Sequence, residues 1–183
     1  MLLANAGIEF EAVPAEIDER AVQQGSGLSA PSEIAALLAR EKAIAVSRQK
    51  SAHIVIGADQ TLALGHRLFS KPVDSAQARE QLKALAGCSH QLHSAVAVAE
   101  GGKIVFEHVA LAQLTMRAMS EAQIAAYLDE AGESVVTASV GAYQLEGLGV
   151  HLFERIEGDH FTILGLPLLP LLDFLRSRHV LAI

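Results

Sequence analysis

The chain has 183 residues, 51% of them apolar but only 4% aromatic, so a core must be built mainly from Leu, Ile, Val and Ala, and general disorder is excluded. A net charge of -7 without any block of Lys and Arg excludes the electrostatic footprint of a binder of nucleic acid polymers or anionic membranes; a small anion held by a few basic groups and a divalent cation remains compatible. One cysteine, Cys88, excludes a disulfide framework and a Cys-rich zinc site, and without a long apolar run the expectation is a cytoplasmic protein.

No internal repeat or low-complexity linker divides the chain, so a single domain over residues 1–183 is expected. Asp18 and Glu19 follow an extended segment from Phe10 to Pro14, and Gly25 to Ser32 reads as a flexible loop ending in a helix start at Pro31 and Ser32. From Ser32 to about Gln49, Ile34, Leu37, Leu38 and Ile44 recur at helical spacing among good helix formers. His53 to Ala58 is a short β-branched run that reads as a buried strand, its far end delivering Asp59.

Ser75 to Leu85 reads as a second helix stopped by Gly87. His93 to Ala99 and Lys103 to Leu114 flank Glu100-Gly101-Gly102, the pattern of a β-hairpin. Ser120 with Gln123 resembles a capping box opening a helix to about Glu130. Between Val135 and Ile163 short β-like pieces alternate with glycines, and Leu168 to Arg178 closes the chain as a Leu-rich helix, basic at its end. The alternation indicates an α/β fold, and the hairpin makes the sheet mixed rather than purely parallel.

A carboxylate at a strand end, as expected for Asp59, can ligate a hard cation, accept a proton from water, or simply cap a turn. Lys71, held by Pro72, can neutralise phosphate oxygens or sit solvated in its loop. Arg40, Glu41 and Lys42 are consecutive on a helix, so they cannot share one face. His90 and His93 near Cys88 lack the paired ligands of a zinc site. Gly101-Gly102-Lys103 is not a P-loop, the stretch from Gly141 to Gly149 does not have dinucleotide-fingerprint spacing, and no nucleophile elbow is present.

In chain order these pieces are Asp18-Glu19, Arg40-Glu41-Lys42-Ala43, Gly57-Ala58-Asp59, Lys71-Pro72, and the long block from Val140 to Leu168. In that combination the chain resembles the Maf family from Leu2 nearly to the C-terminal helix. The resemblance implies a two-lobed, inosine triphosphatase-like α/β fold around an elongated mixed sheet with a nucleotide cleft, a divalent cation such as Mg²⁺, and a homodimer. It implies hydrolysis of a nucleoside triphosphate to the monophosphate and pyrophosphate, with Asp59, Lys42 and Lys71 catalytic and Asp59 and Glu19 holding the metal. Gln60 after Asp59, with Leu145-Glu146-Gly147, resembles the branch acting on 7-methyl-GTP, which makes Gln60, Gln144 and Glu146 the substrate-binding candidates; broader substrates stay open.

Family members begin with a strand and a Ser-x-Ser-Pro-x-Arg-type phosphate-gripping motif, and this sequence starts just after it, at Met1-Leu2-Leu3. The expectation is therefore a Maf-like domain shortened at its N-terminus, with Met1 either an internal start or the head of a chain lacking one strand. The alternative to an enzyme is a catalytically impaired Maf-like protein that binds nucleotide or acts in cell-division control.

Overall fold

The computed structural model describes residues 2–181; Met1, on which the reading of the chain start rests, lies outside them. In chain order the elements are α1 (Leu2–Asn5), α2 (Glu19–Ser26), α3 (Pro31–Gln49), β1 (Val55–Leu64), β2 (Arg67–Phe69), α4 (Ser75–Leu85), β3 (Ser89–Glu100), β4 (Lys103–Met116), α5 (Glu121–Ala131), α6 (Glu133–Val136), β5 (Phe153–Glu157), α7 (His160–Ile163) and α8 (Leu168–Ser177). Among the described residues the strands form one five-stranded sheet in the order β2-β1-β3-β4-β5. β2 runs antiparallel to β1, with Leu62 opposite Phe69, and β5 runs antiparallel to β4, with Leu114 opposite Ile156.

The chain divides into two compact units, one of Met1–Gln60, His93–Ala110 and Asp159–Ile183, the other of Thr61–Leu92 and Leu111–Gly158. In the first, β3 is buried on both faces. Ala95, Ala97 and Ala99 share a cluster with Ala35, Ala36, Ala39 and Ala43 of α3, whereas Val96 and Val98 cluster with Leu166 and with Leu168, Leu171 and Leu175 of α8. The two-residue side-chain period of a strand thus sends small residues toward α3 and branched ones toward α8. The core stripe of α3 is consequently richer in alanine than the Ile and Leu spacing suggests, since Leu37 and Ile44 are half-buried.

The alanine stripe lets α3 approach the sheet closely. Gly57 in β1 marks the tightest point: a Cβ there would lie 2.4 Å from the Ala39 carbonyl oxygen and 2.6 Å from the Ala43 nitrogen. At the far end of β3 the hairpin turns through Gly101 and Gly102, both at positive φ (54° and 78°), the geometry that a two-residue hairpin loop demands. Ser47 of α3 accepts a hydrogen bond from the Gly102 amide at 3.0 Å, fastening the turn to the helix.

The second unit is organised around α4 and α5. The capping box at Ser120 and Gln123 is present and opens α5 as expected. Gln81 of α4 donates to the Ser70 carbonyl at 2.8 Å and accepts from the Gly141 amide at 3.2 Å, tying the loop before α4 to the segment after α6. His90 is fully buried, with Nε2 2.7 Å from the Tyr143 hydroxyl. Burial pulls its imidazole down from the usual 6.5 to about 4, so it is neutral at physiological pH.

Three sequence expectations change. Asp18 and Glu19 do not merely follow an extended segment: Asp18 caps α2 by accepting from the Ala21 amide at 3.0 Å, and Gly27 at φ 68° ends the helix. β1 does not stop before Asp59 but runs on to Leu64, because Leu62 and Ala63 are buried and their strand pairs with β2. The region from Val135 to Ile163 folds largely as short helical turns, with Phe153–Glu157 as its strand. Gly141, at positive φ (80°), bends the chain there before a strand can extend.

Candidate active site

Asp59 and Lys42 meet because of the close approach at Gly57. Gly57 and Asp59 are two residues apart on β1 and so point to the same face, the one packed by α3. Lys42 precedes Ala43, whose backbone lies over Gly57, and its side chain reaches along the strand to Asp59. Nζ lies 2.6 Å from Asp59 Oδ1 and 2.8 Å from Glu19 Oε1. The Asp59 side chain is 10% exposed, that of Lys42 23% and that of Glu19 50%, so the cluster grades from interior to solvent.

The helix start at Asp18 explains how Glu19 reaches this point: capping sets the first turn of α2, and Glu19 is its first residue. The consecutive charges of α3 separate as helical geometry requires, Arg40 pairing with Glu107 of β4 at 3.5 Å and Lys42 turning to the two carboxylates. Burial is the strongest single influence on the Lys42 ammonium and favours its neutral form. The hydrogen bonds and charges of Asp59 and Glu19 together outweigh it and hold the lysine above its ordinary value.

Gln60 points the other way. Its neighbours Ile56 and Ala58, four and two residues before it, pack into the α8 cluster, and its own amide nitrogen donates toward the carbonyl oxygens of Thr162 and Ile163 at 3.1 Å each. Asp59 and Gln60 therefore occupy opposite faces of β1.

The remaining candidates lie in the second unit. Lys71 is exposed in a loop fastened to α4 on both sides of it, by Gln81 on the Ser70 carbonyl and by the Val73 amide donating to Gln77 Oε1 at 2.9 Å. Gln144 and Glu146 sit in a tight turn. The Gly147 amide donates to the Gln144 carbonyl at 3.2 Å, and a Cβ on Gly149 would lie 2.4 Å from that same oxygen, so glycine is required at 149. Glu146 is exposed at the tip of the turn.

Sequence reading alone quotes Gly57 only within Gly57-Ala58-Asp59, without its packing role, and does not find Ser94 or Thr162, although each positions the candidates. The legible signal for Gly57 is an alanine stripe at helical spacing facing a glycine in a β-branched run, the pattern of a close helix-sheet contact. Cys88 is a free, half-buried thiol, and among the described residues no group of three or more His, Cys, Asp and Glu gathers as a metal cluster. Among them, too, no helix is long and apolar enough to cross a membrane.

The fold and cluster define a mixed α/β protein that holds a lysine between two carboxylates where its first long strand meets its longest helix. This chain belongs to the Maf family: the family described as "Maf-like protein" matches residues 1–178. It is 68% identical over 183 residues to a protein of Bradyrhizobium diazoefficiens named nucleoside triphosphate pyrophosphatase, covering 100% of this chain and 90% of the relative. A Rhodopseudomonas palustris (strain BisB18) protein of the same name is 62% identical over 182 residues, covering 100% and 90%. A Rhizobium etli protein named 7-methyl-GTP pyrophosphatase is 53% identical over 180 residues, covering 97% and 89%.

Proposed function

We propose that this chain hydrolyses nucleoside triphosphates to the monophosphate and pyrophosphate, with modified purine nucleotides such as 7-methyl-GTP among its substrates. The observation that carries the reading is the Lys42 ammonium held at 2.6 Å and 2.8 Å between Asp59 and Glu19 on a family scaffold whose relatives bear pyrophosphatase names. In the proposed reaction Asp59 orients a water and accepts its proton as the water oxygen bonds to the α-phosphorus. The bond from that phosphorus to the bridging oxygen breaks in line, and pyrophosphate leaves.

Lys42 stabilises the charge that develops on the phosphate oxygens, and Lys71 is proposed for the same task. Such fixed charge commonly contributes more than the proton transfer itself. Gln144 and Glu146 are proposed to meet the nucleoside, Glu146 as an acceptor for a purine edge.

The donor set fits a hard divalent cation. Asp59 and Glu19 bring carboxylate oxygens to a common point that a positive charge already occupies, and two carboxylates completed by water and substrate phosphate are the usual holding of Mg²⁺. When bound, the metal would supply charge neutralisation on the triphosphate. A cytoplasmic homodimer completes the proposal on the strength of family membership, and light scattering of the purified chain reads the oligomer directly.

The deciding experiment is pyrophosphate release from 7-methyl-GTP, GTP, dTTP and UTP with Mg²⁺, comparing the chain with Asp59→Asn. The expected result is release by the unaltered chain, a loss of 10²-fold or more in the variant, and retained nucleotide binding in both. Binding without release by the unaltered chain would favour the binding-module reading, and orthophosphate as the product would mean another phosphate-ester chemistry.

A further inference from the structure

We infer that Gln81 is a positioning residue: its buried amide ties the loop that carries Lys71 to the backbone that carries Gln144, so that these two proposed substrate contacts keep a fixed spacing.

Along α4 the buried positions are Ala78, Gln81, Leu82 and Leu85, the stripe of a core-facing helix with an amide at one of its places. Gln81 is 7% exposed, and an apolar side chain there would fill the same space without an amide to desolvate. Both ends of that amide are met by backbone from separate segments. Nε2 donates to the Ser70 carbonyl at 2.8 Å, and Oε1 accepts from the Gly141 amide at 3.2 Å. A carbonyl can only accept and a backbone amide only donate, so the two partners fix which way the side-chain amide faces. All of these residues belong to one compact unit.

Each segment passes the constraint on within three residues. Lys71 follows Ser70 directly and precedes buried Pro72, whose ring restricts the Lys71 backbone, and the Val73 amide then returns to α4 through Gln77. At the other end Gly141 and Ala142 take successive left-handed conformations, φ 80° and 62°. A residue with a side chain holds that conformation only where its surroundings impose it. Here the surroundings are buried groups: Gln81 on the Gly141 amide, the Tyr127 hydroxyl donating to the Ala142 carbonyl at 3.1 Å, and His90 Nε2 2.7 Å from the Tyr143 hydroxyl. A Cβ on Gly141 would lie 2.6 Å from Leu62 Cδ1, so the turn has no slack on that side. Gln144 is the next residue out of this fixed turn.

The inference rests on the proposed roles of Lys71 and Gln144. Gln81→Met removes both hydrogen bonds at nearly constant volume, whereas Tyr127→Phe loosens only the Ala142 end. At a temperature where the variants remain folded, Gln81→Met should lower kcat for 7-methyl-GTP on the order of tenfold and raise KM about threefold to tenfold. Tyr127→Phe should raise KM alone. Adding Gln81→Met to Lys71→Met should lower kcat little further, and adding it to Gln144→Ala should raise KM little further, because the contact it positions is already gone. Fully multiplicative effects in both double variants would overturn the inference. Hydrogen exchange reads the tie without turnover, so an inactive chain, or a wrong role for Lys71 or Gln144, is told apart from a wrong tie. Joint loss of protection over residues 69–74 and 140–146 in Gln81→Met, with residues 31–49 unchanged, supports the tie; loss in one segment alone, or in neither, refutes it.

Discussion

A Cβ on Gly57 would lie 2.4 Å from the carbonyl oxygen of Ala39, so α3 and β1 meet at a separation that only a hydrogen on that α-carbon permits. The obstructing atoms belong to helix backbone, which cannot rotate away as a side chain could. Gly57→Ala is expected to push α3 outward, lower stability by about 1–3 kcal/mol in a denaturant titration, and reduce pyrophosphate release beyond what the unfolded fraction explains, because Lys42 rides on the displaced helix. An unchanged midpoint with full turnover would mean the close approach is not needed.

Lys42 is the counter-charge of two carboxylates, one of them nearly buried. Lys42→Met is expected to lower kcat on the order of 10²-fold, and Lys42→Arg to recover little of it, because a planar guanidinium cannot reproduce a single nitrogen 2.6 Å and 2.8 Å from two separate acceptors. Since these partners raise the lysine above 10.5, its stabilising contribution is fully present below that pH and disappears as pH climbs through the raised value. Comparing alkaline unfolding of the chain and Lys42→Met reads this directly.

Glu19 is half exposed and anchors the solvent end of the cluster. Chelation of divalent cations is expected to stop turnover and Mg²⁺ to restore it. Glu19→Gln should raise the Mg²⁺ concentration needed for half-maximal rate while shifting stability by no more than about 0.5 kcal/mol, as surface substitutions generally do. Equal Mg²⁺ dependence in both proteins would remove Glu19 from the metal site.

His90 supplies a pH test independent of catalysis. Its imidazole titrates near 4 when folded and near 6.5 when exposed, so between those values the unfolded chain takes up a proton that the folded chain refuses. Its stabilising contribution is full above about 6.5 and is lost as pH falls toward 4, up to about 3 kcal/mol. In His90→Gln the slope of stability against pH across that window should flatten.

Local signals were legible in the sequence wherever neighbours along the chain decide the structure. The Ser120 and Gln123 capping box, the paired glycines of the hairpin and the helix of Ser75 to Leu85 all reappear, because caps, turns and helical periodicity act within a few residues. The order of short charged and glycine-bearing pieces also pointed to the Maf family, to which the chain belongs.

What the sequence left open at Asp59 was decided by contacts between distant segments. Lys42 and Asp59 are separated by 17 positions, and they meet because alanines on α3 and the missing side chain of Gly57 let helix and strand close together. Adjacent in sequence, Asp59 and Gln60 part to opposite faces of one strand, the first toward α3 and the second 102 positions forward to Thr162. Composition and spacing supply the groups, but a strand sends neighbouring side chains to opposite faces, and packing on each face selects their partners.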